Sequence, residues 1–533
     1  MIWRIFKKDW SLLWPLVLIV GVAHAINALI ALMQGNFRGA PGLVRISNLF
    51  PAAVLLGVGA LIVAAVHQDA LPGDRQDWLV RPIRRRDLVL EKLLFVLIAV
   101  NGPMLVIDMA HCLAAGFGFG EALSAAVSRG TYMLLTFNLP VLGLAALTST
   151  LVEVIGSFLA ICVLVVVIHM GVISMAPPNV PTFGTMSNSW VMLQLWSVVA
   201  LATALIVIPL QYFRRVTTSS RALALGVALF LPITAFIPWS TAFGFQQWLS
   251  VDPRAAKAVA IAFDPNVGKM ILRRGTPSRP DSLWLPLQVS GLPPEAVVLN
   301  DRADIRIIGH DGTVLYRGTT IGTAPAALIG GVAAPVAVDD FPVRSSTGGQ
   351  VATHQLISLP HKIYQEVRSQ RVRVELEYSL SLFGADASDT IPALNGDKRI
   401  ANLGLCRTQI DDDGDEIELG CLKTGPEITC GTFMLENAVT GKHNPAASFC
   451  NKYYPPITAH FLPNALMKFG GELAFHDPRG LATYPVDSSQ LASARVSVKT
   501  YKPIAHFTRH LIIPDIHLGD WETATRVAAG ESQ

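Results

Sequence analysis

Seven apolar runs, each long enough to cross a lipid bilayer, lie in the first half of this 533-residue chain. A membrane-spanning helix needs about 20 mainly apolar residues, because the hydrocarbon core of a bilayer is about 30 Å thick. A segment in lipid must also satisfy its own backbone hydrogen bonds, so each run is expected to be helical. The runs are Ser11–Met33, Leu49–Val66, Leu93–Ala115, Thr131–Thr150, Leu151–Ser174, Trp190–Tyr212 and Ala222–Trp239.

The two halves of the chain differ in composition. Hydrophobic residues make up 51% of the chain and its mean hydropathy is +0.44, which indicates substantial membrane content. The net charge is +6 for residues 1–241 and −3 for residues 242–533. No strongly basic surface typical of nucleic-acid binding is evident, so no nucleic-acid partner is expected. The sequence predicts a helical membrane domain over residues 1–244, with the lipid bilayer as its surroundings, followed by a soluble region.

The distribution of basic residues predicts the orientation of the helices. Loops rich in Lys and Arg stay in the cytoplasm. With a cytoplasmic N-terminus and seven spans, 12 Lys and Arg residues fall on the cytoplasmic side. Only Arg38, Arg45 and Arg129 fall on the other side. Everything after Trp239 is therefore expected to be extracytoplasmic.

One long charged segment separates the second and third runs. Residues 68–92 read QDALPGDRQDWLVRPIRRRDLVLEK and contain six basic and five acidic residues. A solvated loop that obeys the charge rule is one interpretation. Trp78 and Leu79 inside so charged a loop favour the other interpretation, a surface on which a partner protein docks.

The second half of the sequence is typical of β-structure. Alternating or β-branched stretches between turn residues predict strands, and His310-Asp311-Gly312 predicts a hairpin turn. The predicted strands are Leu283–Val289, Ala303–Ile308, Thr313–Tyr316, Val372–Leu382, Ile417–Leu422 and Ala494–Tyr501. Helical periodicity appears at Pro253–Ala262. The region is predicted to be β-rich and sandwich-like, as two units or one large one, with domains at 245–383 and 384–533.

Four cysteines fall close together in the second half. The group is an even number of residues, as expected for disulfides in an oxidising compartment: Cys406, Cys421, Cys430 and Cys450. Zinc is the competing interpretation, but no pair has the C-x₂₋₄-C spacing. Four cysteines allow three pairings. Cys406–Cys421 with Cys430–Cys450 is preferred, because Arg407–Leu419 resembles a hairpin that would bring the first pair together.

Motifs for catalysis or metal binding are not evident in the sequence. There is no phosphate-binding G-x-x-x-x-G-K-[ST], no H-E-x-x-H and no G-x-S-x-G, so neither an enzyme nor a bound cofactor is expected. The acidic run from Asp411 to Glu416 is expected to form a turn rather than a calcium site. His506 and His510 lie in an alternating segment, and a metal site there is a weaker interpretation. Asp108 and Glu153 are the polar candidates inside the spans, since a charge in a membrane needs a partner or a cavity.

The first 240 residues resemble the permease subunit of an ABC-2-type ABC transporter. Two features carry the resemblance: a short cationic start before the first span, and the charged segment after the second. In that family such a segment couples the permease to a separate ATPase subunit. The resemblance implies that coupling residues here are Trp78, Leu79, Arg81, Pro82, Arg84, Arg85, Arg86 and Lys92.

The expected function is therefore the permease subunit of an ABC-type exporter in a bacterial inner membrane. The resemblance implies a homodimer or a pair of permeases, with ATP hydrolysed by the partner subunit. Two features depart from the family core, which has six spans: a seventh span and the large second half. The alternative is a membrane-anchored sensor or scaffold whose extracytoplasmic β-region binds a partner.

Overall fold

The chain divides into a helical bundle followed by a β-rich region. The computed structural model describes residues 1–36, 49–68, 84–175, 189–214, 216–230, 238–267, 271–272, 282–321, 328–329, 351–401, 403–411, 413–424, 430–444, 447–450, 466–477, 483–521 and 524–525. The helices are α1 Ile2–Asn36, α2 Leu49–His67, α3 Arg85–Ala114, α4 Phe119–Leu147, α5 Leu151–Met175, α6 Ser189–Pro209, α7 Thr217–Phe230, α8 Trp239–Trp248 and α9 His361–Arg368.

Several of these helices are long and apolar enough to span a membrane. Among the described residues, four segments meet this criterion by length and composition: Ile2–Ile30, Arg85–Ala114, Phe119–Leu147 and Leu195–Arg214. Helices α2 and α5 are also apolar and contain 19 and 25 residues. Membrane-length apolar helices are therefore present, as predicted, whereas the number seven stays a prediction. The seventh run differs most, because α7 has only 14 residues and residues 231–237 lie outside the described part.

Two helices begin earlier than the hydropathy of the sequence indicates. Helix α3 begins at Arg85 instead of Leu93, and α4 begins at Phe119 instead of Thr131. Arg129, which the charge rule assigned to an exterior loop, consequently lies within α4 and is 4% exposed. A span predicted from hydropathy alone leaves out such a charged residue, because hydropathy does not include the buried partner that compensates the charge.

Helices α3 and α4 each contain a π-helical turn. These turns cover Val96–Asn101 and Leu134–Asn138, and a proline follows each within two residues, Pro103 and Pro140. The sequence predicts kinks at both places, because proline lacks an amide donor and clashes with the preceding turn. The two turns also touch: Asn138 Nδ2 donates a hydrogen bond to Asn101 Oδ1 over 3.0 Å, in the buried interior.

The second half is built from three larger sheets. Their strands are β1 Ala260–Phe263, β2 Ile271–Leu272, β3 Ser282–Ser290, β4 Val297–Ile308, β5 Val314–Ile321, β6 Leu328–Ile329, β7 Val351–Ser358, β8 Arg371–Pro392, β9 Asp397–Ile400, β10 Gly404–Ile410, β11 Glu416–Thr424, β12 Cys430–Asn437, β13 Ala447–Cys450, β14 Leu466–Ala474, β15 Ala494–His517 and β16 Ala524–Thr525. The orders are β1-β3-β7, β14-β11-β10-β9 and, in the largest sheet, β13-β12-β15-β8-β4-β5. The short strands β2 and β16 pair separately.

Two hydrophobic cores lie along the largest sheet, and they define two lobes. In the first lobe, residues of the β1-β3-β7 sheet such as Leu285 pack with Leu376 of β8 and Ile513 of β15. In the second lobe, residues of the β14-β11-β10-β9 sheet such as Leu419 pack with Ile391 of β8 and Val496 of β15. Both lobes use β8 and β15, which have 22 and 24 residues.

The predicted domain boundary at 383/384 therefore falls inside a continuous strand. Gly384 in β8 pairs with Lys502 in β15, close to register shifts at Thr500/Tyr501 and Pro503/Ala505. Such bulges bend and twist a strand pair. The two predicted domains share one sheet, and the change from the first core to the second occurs within the strands.

The predicted strands are present, but the helix at Pro253–Ala262 is wrong. Residues 253–258 form turns, and Ala260 begins β1. Asp252 Oδ1 accepts hydrogen bonds from the backbone of Arg254 and Ala255, which close the first of these turns. The guanidinium of Arg509 then donates to the carbonyls of Ala256 and Val259, so tertiary contacts replace helical ones.

The bundle contacts the second lobe through the connection between α3 and α4. The amide of Leu405 donates to the carbonyl of Ala115 over 2.9 Å. We call this end of the bundle the β-facing end and the end near Arg85 the distal end. Helices α1 and α3 both run from the distal end towards the β-facing end. Asp9 of α1 pairs with Lys92 of α3 near the distal end, and His24 contacts Asp108 further along both helices.

Candidate functional site

The charged segment 68–92 is described at its two ends. Trp78, Leu79, Arg81 and Pro82, which the resemblance assigns to coupling, lie outside the described residues. The remaining basic cluster, Arg84, Arg85 and Arg86, is exposed where α3 begins. The cluster is therefore accessible to a partner, and its role as a docking surface stays a prediction.

Lys92 differs from the other predicted coupling residues because it is buried. Its side chain is 1% exposed, and its ammonium group lies 3.2 Å from Glu91 Oε2 and 2.5 Å from Asp9 Oδ2. The side chains of Asp9 and Glu91 are both fully buried. Lys92 thus ties α3 to α1 and cannot contact a partner. The sequence does not distinguish it from Arg84–Arg86 because the burial depends on α1.

Other contacts fix the ends of the segment to further helices. The Arg85 guanidinium donates to the carbonyl of Phe213 over 2.6 Å, in the π-helical turn Leu210–Arg214 after α6. At the other end, His67 Nε2 lies 3.1 Å from the carbonyl of Ala145 in α4 and 3.3 Å from Thr148 Oγ1. A displacement of the segment would therefore act on α1, α4 and α6 together.

Asp108, the first intramembrane candidate, belongs to a buried ionic cluster. One carboxylate oxygen accepts a short hydrogen bond from Arg129 of α4, and the other lies 3.0 Å from His24 Nε2 of α1. All three residues are less than 5% exposed. The sequence alone suggests an isolated acid, whereas the structure shows a cluster that joins three helices. Its partners lie 21 and 84 positions away in the sequence, so no local pattern connects them.

The same cluster contains buried nitrogen atoms without a hydrogen bond in the described part of the chain. They include Nδ1 of His24 and both ring nitrogens of His111. His111 is 5% exposed and lies within electrostatic range of Asp108, His24 and Arg129. Because nearly all buried polar groups in proteins are hydrogen-bonded, such atoms require an explanation such as bound water or a functional role.

Glu153, the second intramembrane candidate, lies at the end of a helix. It is in the first turn of α5, where its Oε2 accepts hydrogen bonds from the backbone and hydroxyl of Ser149. Its Oε1 is 3.2 Å from the Arg221 guanidinium, and its side chain is 39% exposed. These contacts stabilise the α4–α5 connection, and they do not place a charge at mid-bundle.

The predicted disulfide between Cys406 and Cys421 is present, and it joins directly opposed residues of β10 and β11. Cys430 is disulfide-bonded as well, and Cys450 is the residue opposite it in the β12–β13 register. This register agrees with the second predicted pair. The Cys406–Cys421 bond links neighbouring strands of the second lobe, and a bond between Cys430 and Cys450 stays a prediction.

The acidic run forms the predicted turn. Asp411 Oδ1 accepts three backbone hydrogen bonds from Gly414, Asp415 and Glu416, and these contacts hold the pKa of Asp411 below its usual value despite the cost of desolvation. In the described part of the chain, the carboxylates of Asp411, Asp413 and Asp415 are the one group close enough to hold a metal ion, within 4.8 Å. The turn itself explains their proximity.

The two histidines of β15 have separate surroundings. His506 Nδ1 lies 2.7 Å from the hydroxyl of Ser381, and its ring meets Phe243 of α8 edge-on. His510 is exposed and lines an open groove of about 420 Å³ together with Arg317 and Glu377. The two rings do not converge on a shared metal site.

Comparisons with known proteins do not assign a family. No protein-family model matches the chain, and no curated protein does. A red sea bream transglutaminase structure is 10% identical, with 50% of this chain and 31% of that chain covered and a TM-score of 0.12. A structure described as pT26-6p is 6% identical, with 42% and 60% covered and a TM-score of 0.11. The chain spans less than two thirds of either structure. The fold defines a class only coarsely: a bundle with membrane-length apolar helices and a disulfide-containing β-rich region.

Proposed function

We propose that this chain is the membrane permease subunit of an ABC-type exporter, coupled to a separate ATPase through segment 68–92. The observation that carries the proposal is the anchoring of this segment. His67 and Arg85 fix its two ends to different helices, and Lys92 fixes the following turn to α1. A partner that moved an exposed loop of this kind would move several membrane helices at once.

The proposed orientation places the distal end in the cytoplasm of a bacterial cell and the β-rich region outside. Two observations support it. The exposed cluster Arg84–Arg86 is at the distal end, as the charge rule requires for a cytoplasmic loop. The Cys406–Cys421 disulfide is at the opposite side of the molecule, and structural disulfides persist in oxidising compartments.

In this proposal ATP is bound and hydrolysed by the partner, because the sequence contains no phosphate-binding loop of its own. Two permease subunits and two ATPase subunits would form the complex. Closure of the ATPases would push on segment 68–92, and the helices would then expose the transport pathway alternately to the two sides of the membrane.

The decisive experiment is co-purification of the full-length protein from its native membrane, followed by identification of any bound ATPase. Trp78→Ala should release the ATPase, because buried aromatic anchors contribute about 2 kcal/mol or more to such interfaces. Trp248→Ala is the matched control, since Trp248 is 76% exposed in α8, far along the chain from the segment. It should retain the ATPase.

Two results would refute the coupling role: no ATPase bound to the wild type, or full retention by Trp78→Ala. The first result would favour the alternative function, a membrane-anchored sensor or scaffold. The contact between the α3–α4 connection and the second lobe is the observation that fits this alternative, since it would carry a signal from the β-rich region to the bundle.

A further inference from the structure

The β-facing ends of α3 and α4 form one unit with defined limits. The π-helical turns Val96–Asn101 and Leu134–Asn138 separate residues 102–133 from the rest of the two helices. We call residues 102–133 the β-facing hairpin. π-helical turns are frequent at functional sites and at bends. The hydrogen bond between Asn101 and Asn138 joins the two limits, so they lie side by side as a hinge would.

The hairpin is held together internally. The ion pair between Asp108 and Arg129 connects its two helices. Cys112 is fully buried in a small hydrophobic cluster with Ala115, Phe117 and Ala122, all from the hairpin. These contacts would persist if the hairpin moved as a rigid body.

A buried polar contact ties the hairpin to α1. Asp108 has two partners in the part of the chain that the structure describes, and His24 is the one outside the hairpin. Leu32 of α1 packs on the cluster that contains Cys112. Separation of the hairpin from α1 would therefore break the contact between His24 and Asp108 and uncover Cys112.

The hairpin also fits closely against the second lobe. Gly116 and Gly404 both have positive φ angles, +88° and +58°, a conformation that glycine adopts readily. Each packs against a large side chain of the other region: Gly116 against Leu405, and Gly404 against Phe117. Arg399 of the lobe forms an ion pair with Glu121 at the start of α4. The hairpin and the lobe are thus packed tightly against each other.

We propose that the β-facing hairpin is a gate, held closed in this structure by the contact between His24 and Asp108. Opening separates residues 102–133 from α1 about the Asn101–Asn138 hinge and admits water to His24, His111 and Cys112. In the permease proposed above, this gate controls the exterior end of the transport pathway; that assignment rests on the proposed function, whereas the hairpin motion does not.

The native thiol of Cys112 reports on the gate. The full-length protein in lipid nanodiscs is treated with a water-soluble maleimide, and labelling of Cys112 is followed by peptide mass spectrometry. His24→Leu removes the contact and should raise the labelling rate about tenfold, equivalent to about 1.4 kcal/mol. His310→Leu is the control, because His310 is exposed in the turn between β4 and β5 and takes no part in the contacts of the hairpin. It should label at the wild-type rate.

Hydrogen exchange of the same samples separates gating from local unfolding. A rigid-body opening keeps the helical hydrogen bonds, so exchange in residues 119–133 should stay unchanged while Cys112 becomes reactive. Faster exchange in that helix would overturn the gate, as would wild-type labelling of His24→Leu. If His24→Leu aggregates, His24→Phe, which also removes the contact with Asp108, must give the same increase with the same unchanged exchange, or the proposal fails.

The proposed transport function is tested separately in these preparations by the presence of the ATPase. Faster Cys112 labelling without any bound ATPase would support the gate and refute the permease assignment. A bound ATPase together with unchanged Cys112 labelling in His24→Leu would support the permease assignment and refute the gate.

Discussion

Replacing Lys92 by methionine should lower the free energy of unfolding by about 3–5 kcal/mol. The side chain is 1% exposed, and the carboxylates of Asp9 and Glu91 beside it are fully buried. Methionine has a similar volume, so the loss comes from charge rather than from a cavity. Without Lys92, the cation left beside Asp9 among the described residues is the ammonium of Lys8, 3.7 Å away and 47% exposed, which compensates poorly.

Equilibrium unfolding of the detergent-solubilised, full-length protein measures this loss. Adding Asp9→Asn to Lys92→Met should recover part of the lost stability, because the second substitution removes one of the two buried carboxylates that have lost their cation. The control is Arg86→Met, since Arg86 is 65% exposed and only 3.8 Å from Asp87. It should change stability by less than about 1 kcal/mol. Equal stability of Lys92→Met and Arg86→Met would refute the buried tie between α1 and α3 and return Lys92 to the docking surface.

Two further predictions concern the second lobe. Replacing Cys406 and Cys421 by alanine should cost about 3 kcal/mol for a loop with this sequence separation of 15, measured by unfolding after non-reducing mass spectrometry confirms the pair in wild type. Burial is the largest cause, and the nearby Glu472 carboxylate the next, of the raised pKa of Glu416, which is about 7. The folded state binds this proton more tightly than the unfolded state does. The protonated Glu416 carboxyl therefore stabilises the fold fully below the unfolded pKa of about 4.5, and this stabilisation is lost as pH rises through about 7. Glu416→Gln should therefore flatten the dependence of melting temperature on pH between about 4.5 and 7, and an unchanged slope would contradict the assigned pKa.

Local patterns in the sequence were sufficient for much of the fold. Strand β3 extends the predicted Leu283–Val289 by one residue at each end. The pairing of Cys406 with Cys421 follows from the hairpin between them, since opposed residues of an antiparallel pair have closely spaced Cβ atoms. In each case the determining contacts are near in sequence.

Contacts between distant residues explain most of the differences. Arg129 lies inside a helix because Asp108 compensates its charge, and Lys92 is buried because Asp9 does the same. The turn at residues 253–258 depends on Arg509, which is remote in sequence. No periodicity within a short window carries this information. The role of Trp78 stays a prediction, because it lies outside the described residues.

The length of β8 and β15 has a consequence for how this protein is made. Arg371 at the start of β8 pairs with His517 near the end of β15, and Pro392 pairs with Arg495. In a chain synthesised from its N-terminus, β8 emerges long before β15 and has one edge unpaired in the meantime. Unpaired strand edges invite aggregation, and pairing between such distant segments is slow. Biogenesis of this protein should therefore depend on chaperones that protect β8 until synthesis is nearly complete, and truncation before residue 494 should leave both lobes unable to fold.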